Sequence, residues 1–162
     1  MTYEIALGDR SYSSWSMRIG LLVDRFSLPV TCRFGRLYSD DFQRLLADFA
    51  PARTVPALRL PSGIVIAESL AIAEELASRF PEAGLWPAGA DARAVARALA
   101  AEMHAGFGAL RSACPMNLRA AYREVPVSDA VTADLARIEA LWSWARQASG
   151  SSGPWLCGDY SI

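Results

Sequence analysis

Three short stretches of this chain carry residue types that could do chemistry. The first is Gly8-Asp9-Arg10-Ser11-Tyr12-Ser13-Ser14-Trp15-Ser16-Met17-Arg18, with four serines at the mouth of an amphipathic segment. Hydroxyls at a helix start can donate to an anion, and the positive end of the helix dipole assists them. The second is Arg53-Thr54-Val55-Pro56. A Val-Pro bond just before a strand is a candidate for the cis form. In that form the Val55 N–H and C=O face outward, free to pair with an extended peptide. The third is Glu68-Ser69. There a second helix begins, and its first N–H groups lack intrahelical partners and suit an anion.

The elements that position these stretches are legible. Tyr3 to Leu7 reads as a first strand and Ser14 to Phe26 as a helix, with Ile19, Leu22, Val23 and Phe26 on one face. Val30, Cys32 and Phe34 alternate as a second strand. Ser39 caps a second helix, with Asp40 and Asp41 in its first turn, where the dipole favours carboxylates. Phe42, Leu45, Leu46 and Phe49 form its apolar stripe. Two apolar runs, Ala57 to Leu60 and Ile64 to Ala67, meet across Pro61-Ser62-Gly63, the chemistry of a hairpin turn. A helix from Ser69 to Phe80 follows. The order is βαβαββα, with the first two strands parallel and the hairpin adding an antiparallel pair.

The chain divides near Pro81 to Pro87, giving expected domains of residues 1–82 and 88–162. The second half reads as all helix. Val95, Leu99, Met103, Phe107 and Leu110 keep one register from Asp91 to about Ala113, where Pro115 ends the run. Val131, Leu135, Ile138, Trp142 and Ala145 mark another helix from near Ser128.

Composition narrows the class. The 162 residues are 52% apolar, enough for a core, and the net charge is -1, so no basic field invites nucleic acid or anionic lipid. All 16 basic residues are arginine. No stretch is long enough to span a membrane, and the N-terminus lacks the pattern of a signal peptide. Cys32, Cys114 and Cys157 form neither a metal pattern nor a disulfide set, which suits the cytosol, the expected location. His104, the only histidine, has no paired ligand and no Ser-His-Asp partner set, so no metal site is expected.

Val55-Pro56, the hairpin, Glu68-Ser69 and the following helix resemble the glutathione site of the glutathione transferase superfamily. The resemblance implies a thioredoxin-like α/β N-terminal domain followed by an all-α helical domain. It implies that the Val55 backbone pairs with the cysteinyl part of glutathione, the co-substrate. Glu68, Ser69 and the helix start would hold the γ-glutamyl end. Thr54 and Pro56 complete the clamp, and Arg53 is a candidate for the glycyl carboxylate.

In thioredoxin-like folds the reactive group sits in the first loop, at a helix N-terminus. No cysteine occupies this loop. A serine hydroxyl there can hydrogen-bond the glutathione thiolate and lower its pKa. The candidates, in order, are Ser14, Ser13 and Ser11. Ser13-Ser14-Trp15-Ser16-Met17-Arg18 resembles the Ser-Ser-Cys-Ser-Trp-Arg region of the zeta-type, maleylacetoacetate isomerase-like branch. It is closer to a bacterial transferase group that carries Ser-Ser-Trp-Ser-Leu-Arg. Trp15 reads as packing, and Arg18 as the partner of a carboxylate.

Residues 101–111 with Cys114 to Asn117 resemble a stretch of the same bacterial group. Met103, His104, Phe107 and Arg111 are therefore candidates for the wall of the electrophile pocket, with core or dimer packing as the other reading. The ending, Trp155 to Ile162, resembles the family's Leu-x-Gly-x-x-x-Ser-x-x-Asp stretch up to its serine. The resemblance thus implies a helical domain that is incomplete here, the sequence being a fragment. Leu99, Leu135 and Trp142 would then be left without cover. Members of the superfamily are usually two-fold dimers, so a homodimer through the Ile64 to Phe80 region and the Asp91 helix is expected. The function read is thiol transfer to an electrophilic small molecule. The alternatives are a non-catalytic glutathione-binding or dimerisation module and a glutathione-dependent isomerase.

Overall fold

Side-chain alternation along the first strand sets the layers of the first unit. In the computed structural model, which describes residues 2–162, the chain divides into units of residues 1–83 and 84–162. Strand β1 (Tyr3–Leu7) runs parallel to β2 (Val30–Phe34) and antiparallel to β3 (Ala57–Arg59), which pairs with β4 (Val65–Ala67). The sheet order is β2-β1-β3-β4.

Helix α1 (Ser14–Arg25) follows β1, α2 (Asp40–Asp48) follows β2, and α3 (Ser69–Arg79) follows the hairpin. Ala6 pairs with Ala57, and both pack against Leu45 and Phe49 of α2 and its C-terminal cap. Their small side chains let Phe49 sink to full burial, worth about 2–3 kcal/mol of transfer free energy. Ile5, Leu7 and Leu58 alternate to the opposite face, where α1 and α3 pack on each other and Gly20 lies over Leu7. One helix on one face and two on the other complete the thioredoxin-like plan.

Local chemistry places the ends. Ser39 accepts from the Phe42 N–H at 3.2 Å and caps α2. The hairpin closes through Leu60 N–H to Ile64 C=O at 2.8 Å and Gly63 N–H to Leu60 C=O at 2.9 Å. Gly63 supplies the turn's φ of 90°, which a side chain would resist. Across the sheet, Arg59 bonds Glu4 at 2.9 Å and lays its guanidinium over the Phe49 ring at 4.4 Å.

The second unit is helical: α4 (Ala90–Ala105), α5 (Gly108–Ala113) and α6 (Asp129–Ser149). The single helix expected from Asp91 to Ala113 is therefore two. The break lies at Gly106 and Phe107, the latter with φ of 62°. A continuing helix would give the Met103 and Gly106 carbonyls to the N–H groups of residues 107 and 110. Instead the Arg111 guanidinium donates to both carbonyls, its Nε reaching Gly106 at 3.0 Å. The Leu110 N–H donates to Asp134 Oδ2 of α6 at 2.9 Å. Side chains thus satisfy the backbone groups that the break releases.

Ser128 caps α6 as expected, accepting from Val131 N–H at 3.3 Å. Its buried stripe differs from the expected one: Val131, Leu141 and Ala145 are buried, whereas Trp142 is 51% and Leu135 42% exposed. Leu99, also expected to lie open, is half-buried against the core of this unit. Val95, Ala96 and Ala145 form that core with Cys157, which the 155–158 turn folds inward. Arg137 grips Glu102 through two bonds of 2.6 and 2.9 Å and ties α6 to α4. No helix among the described residues is long and apolar enough to cross a membrane.

Candidate functional site

The site is built where three chain reversals of the first unit meet. The first is the β1–α1 loop. Asp9 organises it, accepting the Ser11 N–H on its carboxylate at 2.8 Å and the Ser13 N–H on its backbone carbonyl at 2.9 Å. Gly8 lets the loop come close, since a Cβ there would stand 2.9 Å from Leu37 and 3.1 Å from both Ser13 and Val55.

Ser13 is the N-cap of α1 and is buried. Its hydroxyl donates to Ser16 Oγ at 2.9 Å and accepts from the Ser16 N–H at 3.3 Å. Ser16 Oγ in turn accepts the Gly8 N–H at 2.8 Å. Ser13 is thus a helix cap with its proton already committed, a correction to its candidacy as the thiol donor. Ser14, the first residue of α1, is half-buried, and no protein group among the described residues holds its hydroxyl.

The second reversal is the bend at Thr54 and Val55. The Val55-Pro56 peptide is cis, as expected from its place, and so is Ala50-Pro51. The third is the entry to α3. Glu68 stands at its N-cap with φ of 71° and ψ of 118°, an uncommon backbone for a side-chain-bearing residue. Such conformations cluster at functional sites and cost about 1–3 kcal/mol. Its carbonyl accepts the first helical bond from Ile72 N–H at 3.0 Å, and Ser69 behind it is buried.

These pieces enclose a hollow of about 240 Å³ lined by Trp15, Thr54, Val55, Pro56, Glu68 and Ser69. Five expected clamp residues, distant in sequence, therefore share one cavity wall. Arg53 is exposed and does not line it, nor do Ser11, Ser13 or Ser14.

Trp15 is the residue that the sequence reading missed. Its signal was helical geometry: Ser13 and Ser16 lie on one face, three apart, so Ser14 and Trp15 must turn elsewhere. Arg18, one turn on, stacks over the indole at 4.4 Å rather than serving only a carboxylate.

The pocket-wall candidates of the second unit separate. Met103 and Phe107 line a hollow of about 320 Å³ together with Leu99, Ile138, Trp142 and Trp155. His104 and Arg111 do not line it, and the Arg111 guanidinium holds the α4–α5 break. No group of His, Cys, Asp or Glu side chains among the described residues is arranged to hold a metal ion. Burial, reinforced by Asp24 and partly countered by Arg10, raises the pKa of the Cys32 thiol; burial alone raises that of Cys157.

Residues 12–79 match the family described as Glutathione S-transferase, N-terminal domain. No curated protein is similar enough in sequence to count as a relative. Among solved structures, a glutathione transferase homologue from Sulfitobacter, with bound glutathione, is 19% identical with a TM-score of 0.58, over 99% of this chain and 76% of its own. A homologue from Burkholderia, also with bound glutathione, is 23% identical with a TM-score of 0.66, over 98% of this chain and 73% of its own. Glutathione transferase Omega 2S from Trametes versicolor is 24% identical with a TM-score of 0.66, over 99% of this chain and 66% of its own. The class that fold and match define is a thioredoxin-like domain of the glutathione transferase type, followed by a helical region.

Proposed function

We propose that the hollow of the first unit binds glutathione and that the protein is a transferase, presenting the bound thiol to an electrophilic small molecule. The observation that carries this reading is the shared wall of Thr54, Val55, Pro56, Glu68 and Ser69. The domain match over residues 12–79 supports it, as do the two fold neighbours that hold glutathione.

The roles follow from the chemistry of the wall. The Val55 backbone pairs with the cysteinyl unit of the tripeptide. The start of α3, with the Ser69 hydroxyl and the free amides of its first turn, takes the γ-glutamyl carboxylate, and Glu68 takes the ammonium. Ser14 is the hydroxyl left to hydrogen-bond the thiolate, and the positive end of α1 favours the same charge. The thiol proton leaves to solvent, the sulfur lone pair forms the new S–C bond, and the leaving group departs with the electrons of the bond it breaks. We also propose that the chain self-associates as a two-fold dimer through the β4–α3 region, where β4 is an edge strand and Ile64 is exposed.

Calorimetry of glutathione binding tests the main reading. Ser69→Ala removes a hydrogen bond to a charged group, about 1.5–3 kcal/mol, so affinity should fall roughly tenfold to hundredfold. No heat with wild type, or unchanged affinity in the variant, would overturn it.

A further inference from the structure

We infer that Trp15 sets the electrophile preference of this site, selecting partners that put a flat aromatic group on the sulfur. The inference rests on the glutathione reading of the same hollow and adds a specificity determinant to it. Of the hollow's walls, the bend at Val55 and the entry to α3 take the backbone and the γ-glutamyl end of the tripeptide. Trp15 is the wall that remains, and the cysteinyl side chain is the part of the ligand that remains to meet it.

The residues around Trp15 leave the indole as the available surface. Ser13 and Ser16, on either side, turn their hydroxyls inward to each other and to Gly8. Trp15 itself is half-buried, so part of it is anchored and part is open to the hollow. Arg18 stacks on the ring at 4.4 Å, which limits its rotamers and adds positive charge beside the sulfur's approach. A fixed, electron-rich ring favours an offset-stacked or edge-on flat partner, and an electron-poor arene is the best match. A methyl group on the same sulfur gains almost nothing from it.

The test uses two product-like probes on the full chain, S-(2,4-dinitrophenyl)glutathione and S-methylglutathione, measured by calorimetry. Wild type should bind the aryl conjugate more tightly. Trp15→Ala should weaken the aryl conjugate about fivefold to tenfold and change the methyl conjugate by less than about twofold. Trp15→Leu keeps apolar volume without a ring and should behave like the alanine variant; Trp15→Phe should keep part of the preference. If both probes bind and the aryl-to-methyl ratio is the same in wild type and Trp15→Leu, the inference is wrong and the glutathione reading stands. If neither probe binds wild type, the glutathione reading fails and the inference falls with it.

Discussion

Ser13 donates its hydroxyl proton to Ser16 Oγ across 2.9 Å, and that oxygen accepts the buried Gly8 N–H at 2.8 Å. Two of the loop's four serines therefore knit β1 to the first turn of α1. Removing one is a stability event before it is a catalytic one.

The two neighbouring serines should separate cleanly. Ser13→Ala loses the N-cap and should cost about 0.5–2 kcal/mol in urea denaturation, while the thiolate of bound glutathione titrates at nearly the wild-type midpoint. Ser14→Ala should leave stability within about 0.5 kcal/mol and raise that midpoint by about one unit, with a matching loss of conjugation rate. Ultraviolet titration of the thiolate in the complex reads both. If Ser14→Ala moves neither midpoint nor rate, the thiol rests on backbone N–H groups, or the chain only binds glutathione.

The α4–α5 break has its own pair of supports. Asp134→Ala leaves the Leu110 N–H without its acceptor, and Arg111→Met strips the Met103 and Gly106 carbonyls. Both groups are half-buried, so each variant should lose about 1–2 kcal/mol, below the value for full burial. The losses should be less than additive, because the two side chains hold one turn. Denaturant curves of both single variants and the double variant decide this.

Thiol chemistry gives a pH test. The raised Cys32 pKa has burial as its first cause and Asp24 as its second. A thiol with a raised pKa forms its thiolate only at higher pH. Its alkylation profile, read by mass spectrometry of the labelled peptide, should therefore be displaced upward from that of free cysteine. Asp24→Asn should move the profile down, and a profile that stays put would remove Asp24 as a cause. At neutral pH Cys32 should label more slowly than the exposed Cys114.

Assembly is read by light scattering. A two-fold dimer at micromolar concentration is expected, and Ile64→Arg at the exposed start of the β4 edge should shift it toward monomer. A monomeric wild type at that concentration would contradict the proposed interface.

What the chain's sequence determined by itself was what depends on neighbours along the chain. Serine caps at positions 39 and 128, the Pro61-Ser62-Gly63 turn and the alternation that buries Ile5 and Leu7 are local matters of hydrogen bonding and period. So is the βαβαββα order. The clamp residues were legible because a Val-Pro pair and a helix-opening Glu-Ser pair have few other uses at that spacing.

Tertiary structure decided what depends on a partner far away. Periodicity carried one helix through Phe107, because the acceptor that permits the break sits 24 residues on, at Asp134. It favoured Trp142 over Leu141, because which flank of α6 meets α4 is a packing outcome and not a period. It could not rank Ser13 against Ser14, since only the inward Ser16 and Gly8 distinguish them. For the same reason Trp15 passed for packing. Its place on the hollow exists only once Val55 and Ser69, 40 and 54 residues later, fold up beside it.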